Sequence, residues 1–250
     1  MKEYNKILRF QKKCWWCGSP ATTREHKYKK SQLKRNFSST FDCREMLSWF
    51  SGKKTRGVQG LNSKRLKFSA LLCKNCNNQR SQPFDRAYDD FMSHVDNNSS
   101  EIIKKESIDL EDIYHDRVKQ QFASLLGYLV KHISCRLAES DYGIPGNFIN
   151  FLNGKDVLRH LTFKFGINCA VVEAQEKLES DNIDDGMFFW GDLLIFKKQN
   201  RFQSHISHNW LFITYYYDKK VPGTALDLVG NVLRVFKYNP LENESRTTSV

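Results

Sequence analysis

This 250-residue sequence has no long apolar run, no internal repeat and no low-complexity block. Its most apolar stretch, Gly186–Phe196, is interrupted by Asp192 and is too short to cross a bilayer, so we expect no membrane-spanning segment. Met1–Phe10 lacks the charged-then-apolar pattern of a secretory leader, so we expect a cytoplasmic protein with no membrane partner. Hydrophobic residues make up 40% of the chain and charged residues 27%, which argues against disorder.

A disulfide framework is not indicated either, although the chain contains seven cysteines. Four of them form two Cys-x-x-Cys pairs with the spacing of metal ligands, which fits a reducing compartment better than a set of disulfides. The other three, Cys43, Cys135 and Cys169, are expected to be packed free thiols. A chain of this length can bury a core as one large domain or as two smaller ones.

Acidic residues are scarce in the first third of the chain. Residues 1–80 contain 20 lysines and arginines against 4 aspartates and glutamates, a net charge of +16. Residues 81–250 contain 19 against 24, a net charge of −5, so the overall charge of +11 comes entirely from the N-terminal segment. A basic excess confined to one segment favours nucleic acid as a partner over an ordinary solvated surface.

Two Cys-x-x-Cys pairs bracket much of that basic segment: Cys14, Cys17, Cys73 and Cys76. Four thiolates complete the tetrahedral coordination of a structural Zn²⁺, and Gly18 suits the tight turn after the first pair. The alternative is that the two pairs are unrelated and simply buried. Because a zinc ion with four cysteine ligands has no open position, His26 beside Glu25 would remain free for chemistry.

The order of these motifs resembles that of the zinc-containing HNH endonucleases, whose core is called ββα-metal. The resemblance rests on Cys-x-x-Cys-Gly at 14–18, Glu-His at 25–26 and Leu-Cys-x-x-Cys-Asn at 72–77, and it covers residues 14 to about 92. It implies that the cysteines hold a structural zinc, that His26 is the general base, and that Glu25 and Asn77 bind one Mg²⁺ beside the scissile phosphate. It also implies 5′-phosphate and 3′-hydroxyl products.

The chemistry of these residue types supports the same roles. Hydrolysis of a phosphodiester needs an activated water and a cation that neutralises developing negative charge. Imidazole titrates near neutral pH and can accept a proton, while carboxylate and amide oxygens suit Mg²⁺ or another divalent cation. The alternative for His26 is a surface histidine, and for Asn77 a helix N-cap, which is compatible with metal binding. Many members of the family have aspartate at the position of Glu25. The carboxylate of a glutamate lies one methylene further from the main chain than that of an aspartate.

Basic residues of the first segment are candidate contacts to a polyphosphate backbone: Lys27, Lys29, Lys30, Lys34, Arg35, Lys64 and Arg80. Arg80 follows Asn77 by one helical turn and could clamp a phosphate. Asn62 is a candidate for the middle asparagine of the HNH motif, although its spacing to the second cysteine pair is long. Asp85 is interpreted as an early-helix residue favoured by the helix dipole, or as a carboxylate that orients Asn77 or His26.

Hydrophobic periodicity predicts an α+β protein with three regions. These are an N-terminal zinc-stabilised ββα-metal (HNH) module in residues 1–95, a helical linker region in 96–160, and a mainly antiparallel β domain of unknown role in 161–250. We expect helices at 84–95, 110–140, 148–153 and 170–180, and strands at 21–23, 64–72, 161–165, 188–196, 209–217 and 231–238. Residues 46–50 are expected to form a short helical anchor and residues 96–100 a linker.

Two patterns in the last third have competing interpretations. His205 and His208 could hold a second metal, but residues three apart on a strand point to opposite faces, so this site is not favoured. The aromatic run at 210–217 could stack on bases, although aromatic residues on a strand more often pack in a core.

These observations favour a Mg²⁺-dependent endonuclease that cleaves nucleic acid, with DNA preferred, by analogy in a microbial or phage defence or DNA-processing system. The alternative is a zinc-dependent nucleic-acid-binding protein that does not cut. A third hypothesis gives the C-terminal region the main role, as a sensing or interaction domain that binds a protein partner or forms a homo-oligomer.

Overall fold

The structure is a computed structural model that describes residues 12–36, 48–51, 54–58, 60–180 and 191–238. The protein is of the α+β class, as predicted. It divides into two compact units, Met1–Ser93 with Lys119–Val157 and His94–Val118 with Leu158–Val250. Residues 96–160, predicted as a separate helical linker region, are therefore divided between the two units.

Helices and strands alternate irregularly along the described residues. The helices are α1 (Lys30–Asn36), α2 (Gln82–Asn97), α3 (Ser99–Lys105), α4 (Glu111–Tyr114), α5 (Val118–Glu139), α6 (Gly146–Leu152) and α7 (Cys169–Ser180). The strands are β1 (Thr23–His26), β2 (Ser48–Ser51), β3 (Lys54–Gly57), β4 (Lys67–Leu72), β5 (Ser107–Asp109), β6 (Leu161–Asn168), β7 (Gly191–Phe196), β8 (Arg201–His208), β9 (Leu211–Asp218), β10 (Thr224–Leu226), β11 (Leu228–Val229) and β12 (Val232–Tyr238). No helix in these described ranges is long and apolar enough to cross a membrane.

Two antiparallel strand pairs belong to the first unit. β1 pairs with β4, and β2 pairs with β3. The predicted strand at 64–72 begins only at Lys67, because a turn of 3₁₀-helix (Lys64–Leu66) precedes it. The predicted helical anchor is wrong where it can be seen: residues 48–50 lie in β2, as the strand preference of Trp and Phe favours, and residues 46 and 47 lie outside the described part.

The core of the first unit is built largely on α2 and α5. The helix predicted at 84–95 is confirmed, and within the first unit its Tyr88 and Phe91 are buried while Phe84 is half-buried. Tyr88 stacks on Tyr128 of α5 with ring centroids 3.8 Å apart. Gly127 permits this close approach of helices, because a Cβ atom there would lie 2.7 Å from the ring of Phe84. Helix α5 can therefore present its side chains to β1 and α2.

An eight-stranded sheet forms the centre of the second unit. The strands follow the order β11-β12-β6-β9-β8-β7, with β10 beside β6 and β5 beside β12. Most pairs are antiparallel, whereas β12–β6 and β10–β6 are parallel. Strand β5 comes from the predicted helical linker region, and its pairing with β12 places Ile108 opposite Leu233.

The predicted linker at 96–100 is wrong. Asn98 is the one non-helical residue between α2 and α3, with φ −121° and ψ 24°. The backbone N–H groups of Asn98 and Ile102 donate to the carbonyls of His94 and Asn98, so the hydrogen bonding continues across the junction. Polar composition indicated a loop, but asparagine and serine also favour helix termini.

The aromatic run of β9 packs in the core, in agreement with the alternative stated for it. Trp210, Phe212, Tyr215 and Tyr217 are each at most 7% exposed. A Cβ atom at Gly166 on the neighbouring strand β6 would come within 2.3 Å of the Phe212 ring. Burial of these rings leaves them unavailable as a surface for stacking bases.

The two histidines of β8 do not form a metal cluster among the described residues. Nε2 of His208 lies 3.0 Å from Oδ1 of Asp96 within the second unit. The described groups of cysteine, histidine and carboxylate side chains close enough to share a metal contain neither His205 nor His208.

Candidate functional site

The four cysteines predicted as zinc ligands lie together in the first unit. Their sulfur atoms are all within 4.8 Å of one another, and Sγ of Cys17 is 3.6 Å from Sγ of Cys73. In a tetrahedral site with zinc–sulfur bonds of about 2.3 Å, the sulfur atoms are roughly 3.8 Å apart. Both the donor set and its spacing fit, so Cys14, Cys17, Cys73 and Cys76 could bind a metal ion such as zinc.

Backbone hydrogen bonds hold the two cysteine pairs against each other. The N–H of Gly18 donates to the carbonyl of Cys14 at 2.8 Å, and Gly18 has φ +79°, which glycine adopts without strain. The N–H of Trp15 donates to the carbonyl of Leu71 at 3.1 Å. Because β4 leads directly into Cys73, this bond places the first cysteine turn beside the second pair.

The thiols of the cluster are not equally easy to ionise. Burial raises the pKa of Cys14 and of Cys76. Burial also opposes ionisation of Cys17, but hydrogen bonds from Ser19 and the neighbouring thiols lower the pKa of Cys17 to about 6. Zinc binds thiolates, so binding would release protons from the thiols of Cys14 and Cys76 and would weaken as the pH falls.

Arg80 packs beside the cysteine cluster. Its guanidinium lies 4.5 Å from the ring centroid of Trp16, and its Nη1 donates to Sγ of Cys76 at 3.4 Å. Its Nη2 donates to Oδ1 of Asn153, which also accepts a bond from Nε1 of Trp16 at 2.9 Å. Arg80 was predicted as a phosphate clamp, and here its charge supports a thiolate, which is a role that stabilises metal sites.

His26 ends β1 with one of its ring nitrogens bare. The main chain of Leu61 lies beside the ring and favours its protonated form, whereas Nε2 is buried and has no hydrogen-bond partner among the described residues. Burial lowers the pKa of His26 to about 4, and the positive charges of Lys67, Lys30 and Lys131 act in the same direction. The imidazole is therefore neutral at pH 7, with Nε2 able to accept a proton.

Asn77 lies in a turn of π-helix (Asn75–Arg80) that follows the second cysteine pair. Its N–H donates to the carbonyl of Cys73 at 3.0 Å, and its own carbonyl accepts a bond from Oγ of Ser81 at 2.7 Å. Its side-chain Oδ1 is buried without a hydrogen-bond partner in the described part of the chain. Such an atom is costly unless it binds a ligand, and an amide oxygen suits Mg²⁺.

The carboxylate of Glu25 belongs to a hydrogen-bonded path that runs to Asn77. Nζ of Lys131 donates to Oε2 of Glu25 at 3.0 Å and to Oδ1 of Asp85 at 3.1 Å. Oγ of Ser81 lies 2.8 Å from Oδ2 of Asp85 and 2.7 Å from the main-chain carbonyl of Asn77, so its single proton is shared between these two acceptors. Asp85 is thus an early-helix residue, and through Ser81 it reaches only the main-chain carbonyl of Asn77, so its role in orienting the Asn77 side chain stays a prediction.

The fit of these residues to Mg²⁺ is good for Asn77 and partial for Glu25. β1, which carries Glu25, packs against the π-helical turn, which carries Asn77. The side-chain amide oxygen of Asn77 has no hydrogen-bond partner among the described residues, whereas Oε2 of Glu25 already accepts a bond from Nζ of Lys131. Burial alone would lower the pKa of Lys131, but the charges of Glu25 and Asp85 raise it above its ordinary value, so the ammonium remains charged.

The loop between β3 and β4 places Asn62 close to His26. Leu61 supplies the main-chain contact to His26, and Oδ1 of Asn62 accepts a bond from Nζ of Lys30 at 3.1 Å. Residues 60–65 line a surface cleft. The predicted middle asparagine therefore lies next to the residue that holds the candidate base, despite its long spacing to the cysteines.

The predicted nucleic-acid contacts fall into two groups. Nζ of Lys27 lies 3.2 Å from Glu139, and Nζ of Lys29 lies 2.9 Å from Asp89, so both are paired within the protein, as is Arg80. Of the other four, Lys34, Arg35 and Lys64 are exposed, and Lys30 is half-buried with its Nζ bonded to Oδ1 of Asn62. The exposed three are the better candidates for contact with phosphate.

Sequence reasoning missed Lys131 and Ser81. Lys131 is only 1% exposed on a helix whose apolar face was recognised, and a lysine next to that face is a detectable signal because lysine is rarely buried without a partner. Its partners come from elements far away in the sequence, so the signal does not identify them. Ser81 follows the second cysteine pair and carries no motif of its own.

Comparisons with known proteins give no match, so the function must be inferred from the residues of the site. No protein-family model matches this chain, and neither curated proteins nor solved structures give a match.

Proposed function

We propose that this protein is a Mg²⁺-dependent endonuclease of the HNH type that hydrolyses DNA phosphodiester bonds, with His26 as the general base and a structural zinc. The observation that carries the proposal is the pair of buried atoms without hydrogen-bond partners among the described residues, Nε2 of His26 and Oδ1 of Asn77. One is a proton acceptor and the other a hard ligand. Both lie on elements adjoining the cysteine cluster, which fixes their positions.

Each residue has a defined task in the proposed reaction. Nε2 of His26 takes a proton from a water whose oxygen attacks the phosphorus, the bond to the 3′-oxygen breaks, and that oxygen takes up a proton from solvent, leaving a 5′-phosphate and a 3′-hydroxyl. Asn77 and the second oxygen of Glu25 would hold Mg²⁺, which when bound neutralises charge on the phosphate.

Basic side chains at the surface provide the binding energy for DNA. Lys34, Arg35 and Lys64 are the exposed members of the predicted set, and Lys30 is half-buried with its Nζ bonded to Oδ1 of Asn62. Lysine and arginine contacts to phosphate release counterions and act without regard to base sequence. A role in cleaving or nicking many DNA sequences fits such contacts better than base-specific recognition.

The direct test is plasmid nicking by the full-length, zinc-loaded protein with Mg²⁺. His26→Ala should lower the nicking rate by about 100-fold or more, since removal of a general base costs on the order of 10²–10⁴ in rate. His94→Ala in α2 is the matched control, because His94 is half-buried outside the site and alanine favours a helix. Zinc content and the thermal midpoint should be unchanged in both variants.

A non-catalytic nucleic-acid-binding protein is the second candidate. The ion pair between Lys131 and Glu25 favours it, because it places an ammonium on the carboxylate that a catalytic cation needs. This candidate predicts DNA binding by wild type and by His26→Ala, with no cleavage by either in Mg²⁺ or Mn²⁺. Cleavage by wild type alone would exclude it.

A further inference from the structure

Lys131 is a fully buried cation held by two carboxylates within the first unit. Its side chain is 1% exposed, and its Nζ lies 3.0 Å from Oε2 of Glu25 and 3.1 Å from Oδ1 of Asp85. Removal of an ammonium from water is unfavourable unless charged partners replace the lost solvation. The position of this lysine is therefore set by Glu25 and Asp85 together.

The two carboxylates are themselves held in place. The side chain of Glu25 is 12% exposed and that of Asp85 is 25% exposed. Asp85 accepts a bond from Oγ of Ser81 at 2.8 Å and lies 3.5 Å from Nζ of Lys29. Two fixed carboxylate oxygens that converge on one point are typical of a site for a divalent cation, and here the ammonium lies at that point.

We infer that Lys131 is a built-in counter-cation of the proposed nuclease site, which orients Glu25 and limits the affinity of that site for a divalent metal ion. This inference rests on the proposed function, and it makes Lys131 a positioning residue because its contacts are to Glu25 and Asp85. With Lys131 present, a divalent metal ion would bind next to Glu25, whose negative charge is already paired with the ammonium. Without Lys131, the two carboxylates share a net charge that a divalent cation can neutralise.

A purely structural ion pair makes a different prediction. In that case Lys131 would only fasten α5 to β1 and α2, and loss of the lysine would destabilise the protein whatever ions were present. For a counter-cation, a divalent metal ion should replace the missing ammonium and restore stability. The response of stability to Mg²⁺ or Mn²⁺ therefore separates the two roles without any measurement of cleavage.

The experiment compares full-length, zinc-loaded wild type with Lys131→Met, Lys131→Arg and the double variant Glu25→Gln/Lys131→Met. Thermal midpoints are measured with and without Mg²⁺, and Mn²⁺ binding is measured by equilibrium titration, with zinc content determined before and after. Lys131→Met should bind Mn²⁺ on the order of tenfold more tightly than wild type, because a positive charge has been removed from beside the ligand. Its midpoint should rise with Mg²⁺ by more than that of wild type.

The other two variants are controls for charge and for the ligand. Lys131→Arg keeps the charge and should respond to ions like wild type. The double variant removes one carboxylate and should lose the gain in Mn²⁺ affinity. If zinc-loaded Lys131→Met does not fold in buffer without Mg²⁺ or Mn²⁺, its refolding on addition of either ion supports the inference.

Two results would overturn it. One is a folded Lys131→Met protein that binds Mn²⁺ no more tightly than wild type, and the other is an unfolded Lys131→Met protein that no divalent ion restores. Failure of wild type to nick DNA would instead remove the proposed function, since ion binding by Lys131→Met is measured independently.

Discussion

Single side chains in this protein take their roles from their neighbours more than from their residue type. Lys29 and Lys34 both lie in the basic segment, yet Lys29 is paired with Asp89 at 2.9 Å while Lys34 is exposed. Arg80 likewise has the chemistry of a phosphate clamp but donates to Cys76 and Asn153. A charged residue that already has internal partners contributes less to binding a ligand, because those contacts would first have to break.

Replacement of Arg80 by alanine should weaken zinc retention. The guanidinium donates to Sγ of Cys76 and covers Trp16, and loss of a group that supports a metal ligand typically costs about 10–100-fold in metal affinity. The rate of zinc transfer to a colorimetric chelator should rise for Arg80→Ala relative to wild type. Lys74→Ala, an exposed basic residue two positions before Cys76, is the control. Unchanged zinc transfer together with weaker DNA binding would instead restore Arg80 as a phosphate contact.

At the scale of elements, α5 braces the end of β1 and the residues that follow it. Lys131 bonds Glu25, Nε2 of His132 donates to the carbonyl of Lys27 at 2.9 Å, and Glu139 pairs with Nζ of Lys27 at 3.2 Å. The cysteine cluster adjoins β4, which pairs with β1 on one side, and α5 contacts β1 from another. The candidate base at position 26 is thus positioned from both sides.

Low pH should lower the stability of the protein through His132, which contacts the residue after β1. Burial lowers the pKa of His132 to about 3, with the positive charge of Arg136 acting in the same direction. Between about pH 6.5 and pH 3 the unfolded chain binds a proton that the folded protein excludes, so stability is complete above pH 6.5 and is lost as the pH falls through this window. The contribution of one such group is about 1.4 kcal/mol per pH unit.

Denaturant unfolding at several pH values between 5 and 7 measures this effect. His132→Gln keeps a side-chain N–H for the carbonyl of Lys27 and removes the titrating ring. Its free energy of unfolding should therefore fall less steeply as the pH decreases, with a slope that corresponds to one proton fewer taken up on unfolding. This holds even if the free energy of unfolding of the variant is lower at pH 7. His26 also has a lowered pKa, so some dependence should remain. An identical slope in wild type and His132→Gln would show that His132 does not titrate on unfolding.

At the scale of the whole molecule, each compact unit is discontinuous in sequence. The first unit takes α5 and α6 from beyond residue 118, and the second takes β5 from residues 107–109. Removal of residues 161–250 would therefore strip β5 of its partner β12 and expose Ile108, which is 1% exposed in the intact protein. The role of residues 161–250 in binding a partner or a second copy remains a prediction, and point variants test it more cleanly than truncation.

The concentration of positive charge in residues 1–80 should make DNA binding strongly dependent on salt. Each lysine that contacts a phosphate contributes about 0.9 to the slope of log affinity against log salt concentration. In a His26→Ala background, which prevents cleavage, Lys34→Gln and Lys64→Gln should each make the slope shallower by about this amount. Fluorescence anisotropy with duplex DNA at several KCl concentrations measures it. Lys177→Gln, an exposed lysine of α7, should leave the slope unchanged, and equal slopes for all variants would contradict the proposed surface.

Local patterns in the sequence were sufficient to predict much of the fold. The α+β class, the helices α2, α6 and α7 and the strands β6, β9 and β12 follow from apolar periodicity, because one face of each element is buried. β8 was missed, since its alternation is weak in apolar side chains, and the start of α5 was misplaced because α4 and a 3₁₀ turn at 115–117 precede Val118. The parallel pairing of β6 with β10 and β12 depends on long-range contacts that periodicity does not encode.

The candidate site divides in the same way between sequence and tertiary structure. The sequence by itself determined the quartet of cysteines, the neighbouring Glu25 and His26, and Asn77, because their chemistry and spacing are local properties. Only the tertiary structure decided that Lys131 forms an ion pair with Glu25, 106 positions earlier in the chain, and that Arg80 donates to groups within the protein. Ion pairs between distant elements depend on how helices pack, and packing is a property of the whole core that no local pattern records.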